Sequence, residues 1–139
     1  MNINFYFEDI SDLHLPKRKI RNWINSAICE ENKKSGDLSF IFCSDDYLLS
    51  INQQYLEHDY YTDIITFDYV EGDLVSGDIF ISVERVRENS KFFKVLFMNE
   101  LFRIMIHGVL HLLEYKDKQA EQKKIMTEKE NYYLDKIVF

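Results

Sequence analysis

The run Val95 to Lys118, VLFMNELFRIMIHGVLHLLEYKDK, constrains this chain more than any other stretch, because it is the most apolar segment present and carries two histidines four residues apart. Residues at that spacing lie about 40° apart around a helix and roughly 6 Å up the same face. The imidazoles of His107 and His111 can therefore reach one metal ion. Leu101, Phe102, Ile104, Met105, Ile106, Val109, Leu110, Leu112 and Leu113 surround them on nearly every side, the mark of a helix buried all round. Polar groups in such a place need partners, either hydrogen-bonding neighbours in a core or an ion. Gly108 costs about 1 kcal/mol relative to Ala inside a helix, so its place beside His107 indicates a close approach to the backbone there.

Beyond Leu113 the sequence turns polar, Glu114-Tyr115-Lys116-Asp117-Lys118-Gln119, and the helix is expected to end. In a continued helix Asp117 would stand about 120° around the axis from His111. A break over residues 114–116 turns the chain back and lets Asp117 complete a three-donor site. Three protein ligands leave a position open for water or substrate, the catalytic rather than the structural pattern. A zincin protease carries Glu beside its first histidine as general base. Gly108 holds that place here, so such a protease is not expected.

At 139 residues the chain reads as a single domain, 1–139, able to bury close to 70% of its unfolded surface. Cys29 and Cys43 have no metal-finger or redox spacing, and the N-terminus MNINFYFEDI lacks the pattern of a secretory signal. Asn99, Glu100, Arg103 and His107 punctuate the most apolar helix, so no membrane span is expected; the reading is a reduced, cytoplasmic protein. The net charge is −7. Acidity concentrates in residues 35–115, which hold five basic and fourteen acidic side chains. A nucleic-acid role would have to use local basic edges such as Lys17-Arg18-Lys19-Arg21, or Lys116, Lys118, Lys123 and Lys124, because an acidic mean field repels polyphosphate. Both edges also read as solvated helix faces.

Periodicity orders the elements. Asn2 to Phe7 alternates as a strand; Pro16 suits the first turn of a helix carrying Ile20, Trp23, Ile24, Ala27 and Ile28; Leu38 to Cys43 is a second strand. Ser44-Asp45-Asp46 offers caps for a helix through Leu48, Ile51 and Tyr55. A polar, aromatic loop then leads to strands at 64–67 and 79–81, and Ser82 can cap a helix carrying Val83 and Val86. The histidine helix follows, and from Glu121 a last helix carries Ile125, Met126, Tyr132, Tyr133 and Ile137. Strands early and helices late predict an α+β fold, a small four-stranded mixed sheet covered by about five helices, with the metal site on a buried C-terminal helix.

The residues now in view resemble a known family. HGVLHLLEYKD (107–117) is similar to the HGxLHLxGYDH signature of the YbeY proteins, metal-dependent endoribonucleases of ribosomal RNA maturation; YYTDIITF (60–67) resembles their PTDVLSF segment, and SGDIFISVERVREN (76–89) their GDIxIS element with its following helix. The resemblance covers nearly the whole chain. It implies that His107, His111 and Asp117 hold one divalent ion, zinc by preference, whose bound water attacks a phosphodiester of single-stranded RNA, ribosomal precursor RNA in particular, with the small ribosomal subunit as partner. Asp117 stands where the family usually has a third histidine, Glu114 where it has glycine, Lys116 where it has aspartate, and Leu56 where it has arginine. A carboxylate is a sound zinc ligand but lowers the charge of the site by one. The arginine's role would be lost or pass to His58 or a lysine. His58 is thus a candidate for general acid or phosphate contact, or else an exposed loop histidine. Glu100, seven residues before His107 and on nearly the same face, is a candidate partner of that histidine, a proton acceptor, or an ion-pair partner of Arg103.

Two other readings stay open at this point. Two histidines and a carboxylate also describe the facial triad of non-haem iron oxygenases. A ribosome-assembly factor with a structural metal and negligible turnover is the other.

Overall fold

The computed structural model describes residues 2–137. Its elements are β1 (Asn2–Phe7), α1 (Lys17–Glu30), β2 (Lys34–Cys43), α2 (Asp45–Leu56), β3 (Ile64–Asp68), β4 (Leu74–Ser82), α3 (Val83–Phe93), α4 (Phe97–Leu112) and α5 (Ala120–Leu134). The order is the one the periodicity predicts, and the fold is α+β. β2 begins four residues before the expected strand, because Lys34 and Ser35 pair with Leu74 and Val75 before a register shift at Gly36. Such pairing leaves no hydrophobic trace in KSGD.

The sheet runs β1-β2-β4-β3. β1, β2 and β4 are parallel, and β3 returns antiparallel against β4. Alternation along the strands assigns the two faces. Leu38, Phe40, Phe42, Ile79 and Ile81 join Ile3 and the apolar sides of α1 and α4 in the main core. Cys43 and Ile65 point the other way, to a smaller cluster with Leu48 and Ile51 of α2. Helix starts follow the local chemistry: the hydroxyls of Ser44 and Ser82 accept the backbone N–H groups of Tyr47 and Arg85 at the heads of α2 and α3.

α4 lies against the sheet with ten of its residues buried, from Glu100 to Leu112. What Gly108 admits is the sheet itself. A Cβ there would lie 3.0 Å from Ile64 Cδ1 and from Ile79 Cγ2, so the missing side chain lets α4 settle onto β3 and β4 one residue from His107. α4 stops as expected. Glu114 adopts a left-handed conformation at φ 77, its N–H and that of Tyr115 bond back to the carbonyls of His111 and Leu110, and the chain reverses. This is a Schellman stop with Glu where Gly is usual, a local cost of about 1–2 kcal/mol. No single helix among the described residues is long and apolar enough to cross a membrane.

Candidate metal centre

The reversal after α4 brings Asp117 back over the helix face it has just left. Asp117 Oδ2 lies 3.3 Å from His107 Nε2 and 3.4 Å from His111 Nε2, and the two Nε2 atoms are 3.0 Å apart. These three residues form the one His/Cys/Asp/Glu group among the described residues that brings three donor atoms together.

The other nitrogen of each ring decides what the facing ones can do. His107 Nδ1 is 2.6 Å from Glu130 Oε2. His111 Nδ1 is 3.0 Å from the carbonyl of Tyr115. Both partners only accept, so both Nδ1 atoms carry the proton and both Nε2 atoms present lone pairs. Two imidazole lone pairs and a carboxylate oxygen then converge within hydrogen-bonding range of one another. Such an arrangement repels itself until a cation or a proton sits between, and an outer acceptor on each Nδ1 is the usual support of a metal-binding histidine. The donor set fits a divalent ion.

Glu130 was not visible as a site residue in the sequence. It is 7% exposed, and its second oxygen takes the guanidinium of Arg103 at 2.8 Å. Arg103 also donates to Asn131 Oδ1 at 2.7 Å, so its ion-pair partner is Glu130 and not Glu100. Burial opposes charge on His107, but the hydrogen bond and charge of Glu130, with Asp117 and Asp63, outweigh it and hold the imidazole above its ordinary pKa.

A second support reaches His111 through Tyr115. Its hydroxyl donates to Glu31 Oε1 at 2.5 Å, Lys129 Nζ sits 3.0 Å from Glu31 Oε2, and Tyr133 donates to the same oxygen. Burial pushes the Glu31 carboxyl up, yet these three donors prevail and hold it below the usual glutamate value. A carboxylate depressed in the folded state stabilises it above the unfolded pKa of about 4.3 and stops doing so as pH falls through the folded value. Glu31→Gln is therefore expected to flatten the loss of stability below about pH 4.3, measured as urea midpoints across the acid range. An acid limb identical to wild type would show that Glu31 does not contribute to it.

Glu100 is 9% exposed and shares a cleft with Asp63, Arg103, Ile104, His107 and Glu130. Its carboxylate accepts no side-chain hydrogen bond from the described residues. Burial raises its pKa, Arg103 opposes the shift, and Asp63 and Glu130 add to it. A carboxyl moved toward neutrality and left without a partner beside a donor cluster has the properties of a proton acceptor. Asp63 itself is tied into the loop, its carbonyl accepting Ser82 N–H and its carboxylate lying 3.4 Å from Asn89 Nδ2. His58 is placed in the exposed loop after α2, its ring stacked on Tyr60 at 5.1 Å and its Nδ1 3.0 Å from the Tyr60 hydroxyl. None of its contacts reaches the donor cluster.

Fold and site together define a small α+β protein with a His-His-Asp arrangement able to hold a metal ion. The model of the family described as endoribonuclease YbeY matches residues 6–138. An endoribonuclease YbeY of Parabacteroides distasonis is 49% identical over 134 residues, covering 96% of this chain and 94% of that protein. One of Flavobacterium psychrophilum is 57% identical over 113 residues, 81% of each. A Thermotoga maritima protein solved in solution superimposes with a TM-score of 0.72 over 97% of this chain and 88% of its own, at 27% identity. The chain belongs to the endoribonuclease YbeY family.

Proposed function

We propose that this protein is a metal-dependent endoribonuclease that cuts single-stranded RNA, ribosomal precursor RNA among its substrates, in the cytoplasm and at the small ribosomal subunit. The observation that carries the metal dependence is the convergence of His107 Nε2, His111 Nε2 and Asp117 Oδ2 while both Nδ1 atoms are committed elsewhere. Family membership supports the RNA substrate. Imidazole nitrogens with one carboxylate oxygen and an open position suit zinc. An ion bound there supplies Lewis acidity, lowering the pKa of water and neutralising charge that develops on a phosphodiester.

The chain's own groups do the rest. Glu130 and the Tyr115 carbonyl aim the imidazoles, and the packed sheet beneath Gly108 keeps α4 from shifting. Glu100 takes the proton of the attacking water, its buried carboxyl being raised toward the working pH. His58, exposed in the loop after α2, contacts a phosphate or delivers a proton to the leaving oxygen. No feature of the fold or of the comparisons favours the oxygenase reading.

The test is cleavage of a single-stranded RNA oligonucleotide by zinc-loaded protein, wild type beside His111→Ala and Glu100→Gln. Expected are cleavage by wild type, a loss of at least about a hundredfold in Glu100→Gln, and neither zinc nor cleavage in His111→Ala. A wild type that holds zinc and binds ribosomal particles but leaves RNA whole at stoichiometric amounts would be an assembly factor instead.

A further inference from the structure

The two flanks of the donor cluster carry opposite chemistry. On the His107 side, Asp63, Glu100 and Glu130 line the cleft, and the cation there, Arg103, is committed to Glu130 and Asn131. On the His111 side the cleft is lined by Asp68, Glu114, Lys116, Asp117 and Lys118. Both lysines are exposed, and neither ammonium forms an ion pair with a described residue. Lys129, on the helix behind, is paired with Glu31. Among the described residues, the uncommitted cations lining these flanks are therefore Lys116 and Lys118.

Their charge decides the sign of that flank. Three carboxylates face two ammoniums there, and a divalent ion at Asp117 makes the lining net positive. Without the lysines, the same ion leaves it net negative. Asp68 is also partly occupied, accepting the N–H of Val70 at 2.9 Å. Geometry agrees with charge. Lys116 and Lys118 flank Asp117 in a non-helical stretch, and all three line the same cleft beside His111. The same ion brings the Glu100 flank, with its three carboxylates and Arg103, only to neutrality, so a polyanion is drawn to the His111 flank in preference.

We infer that Lys116 and Lys118 form a phosphate subsite, holding the RNA backbone next to the cleaved phosphodiester on the His111 flank and leaving the carboxylate flank to water and Glu100. The inference rests on the endoribonuclease reading. Lysines act here as flexible point charges, so the subsite positions the strand and reads no sequence.

The experiment measures kcat and KM of zinc-loaded protein on a mixed-sequence single-stranded RNA oligonucleotide across a range of KCl, for wild type, Lys116→Gln/Lys118→Gln and Lys123→Gln/Lys124→Gln. The last pair removes the same charge from an exposed part of α5 outside either cleft. Each phosphate contact on a single strand contributes about 0.7 to the slope of log affinity against log salt. The first variant is expected to keep its zinc, raise KM with little change in kcat, and flatten the salt slope of kcat/KM by about 1.4; the second is expected to keep the wild-type slope. An unflattened slope in the first variant, or an equal flattening in both, overturns the subsite. A wild type that holds zinc and cuts no RNA overturns the endoribonuclease reading and the subsite with it.

Discussion

Zinc added to the metal-free protein at about a hundred times its dissociation constant is expected to raise the melting temperature by about 5–10 °C, the effect of about 2.7 kcal/mol of binding to the native state. Asp117→Ala should lose most of that rise. The argument is geometric: Asp117 Oδ2 stands within 3.4 Å of both Nε2 atoms, and no other carboxylate completes a three-donor group with them among the described residues. The metal-free proteins should order differently. At a pH well above the histidine range, where both rings are neutral, removing a carboxylate that faces two imidazole lone pairs relieves repulsion, so the variant is expected there to melt no lower than wild type in the presence of a chelator. Melting curves with and without zinc, with metal content measured alongside, decide the matter. An equal zinc-dependent rise in both proteins would take Asp117 out of the site.

Glu130→Ala should be the most damaging single change at the centre, destabilising by about 3 kcal/mol, the lower end for breaking a buried ionic pair. The low end applies because Arg103 keeps 35% of its side chain in solvent and can rehydrate once Glu130 is gone. His107 loses the acceptor on Nδ1 and with it the fixed tautomer, and zinc affinity should fall by about 10–100-fold. Glu130→Gln separates the two effects, since the amide oxygen can still accept from His107 but the charge is lost. Chemical denaturation and zinc titration are the measurements. A Glu130→Ala protein with wild-type zinc affinity would leave Glu130 a purely structural residue.

Much of this site was legible before the structure, and for a physical reason. His107 and His111 sit on one helix at fixed spacing, and the polar turn after Leu113 forces the chain back, so Asp117 has few places to go. All three are local in sequence. Glu130 is not: it reaches His107 from another helix, 23 residues on. The signal that could have found it is the face Met126, Glu130, Tyr133, spaced as i, i+4, i+7 and all buried, an acid on the inner side of α5. That face was obscured by Ile125 and Tyr132, apolar residues that are in fact 45% and 41% exposed. Glu31 was further out of sight, since a carboxylate at the end of α1 looks solvated until Tyr115, Lys129 and Tyr133 are seen to converge on it.

The sheet shows the same division. Alternation in β1 reports which side chains go inward, and the four expected strands are found in one sheet. The neighbours in the sheet, with β4 between β2 and β3, depend on pairings that no local pattern carries. Gly108 pointed to a close approach and left the approaching group open; the side chains of Ile64 and Ile79 supply it.

α5 supports both imidazoles, through Glu130 directly and through Lys129 by way of Glu31 and Tyr115. All three donors are synthesised before either of those side chains. A nascent chain that has reached residue 128 thus carries a complete set of ligands with neither ring held from α5. The affinity of the centre for an ion is set by the helix made after it, so the three donors reach their full hold only once that helix has docked.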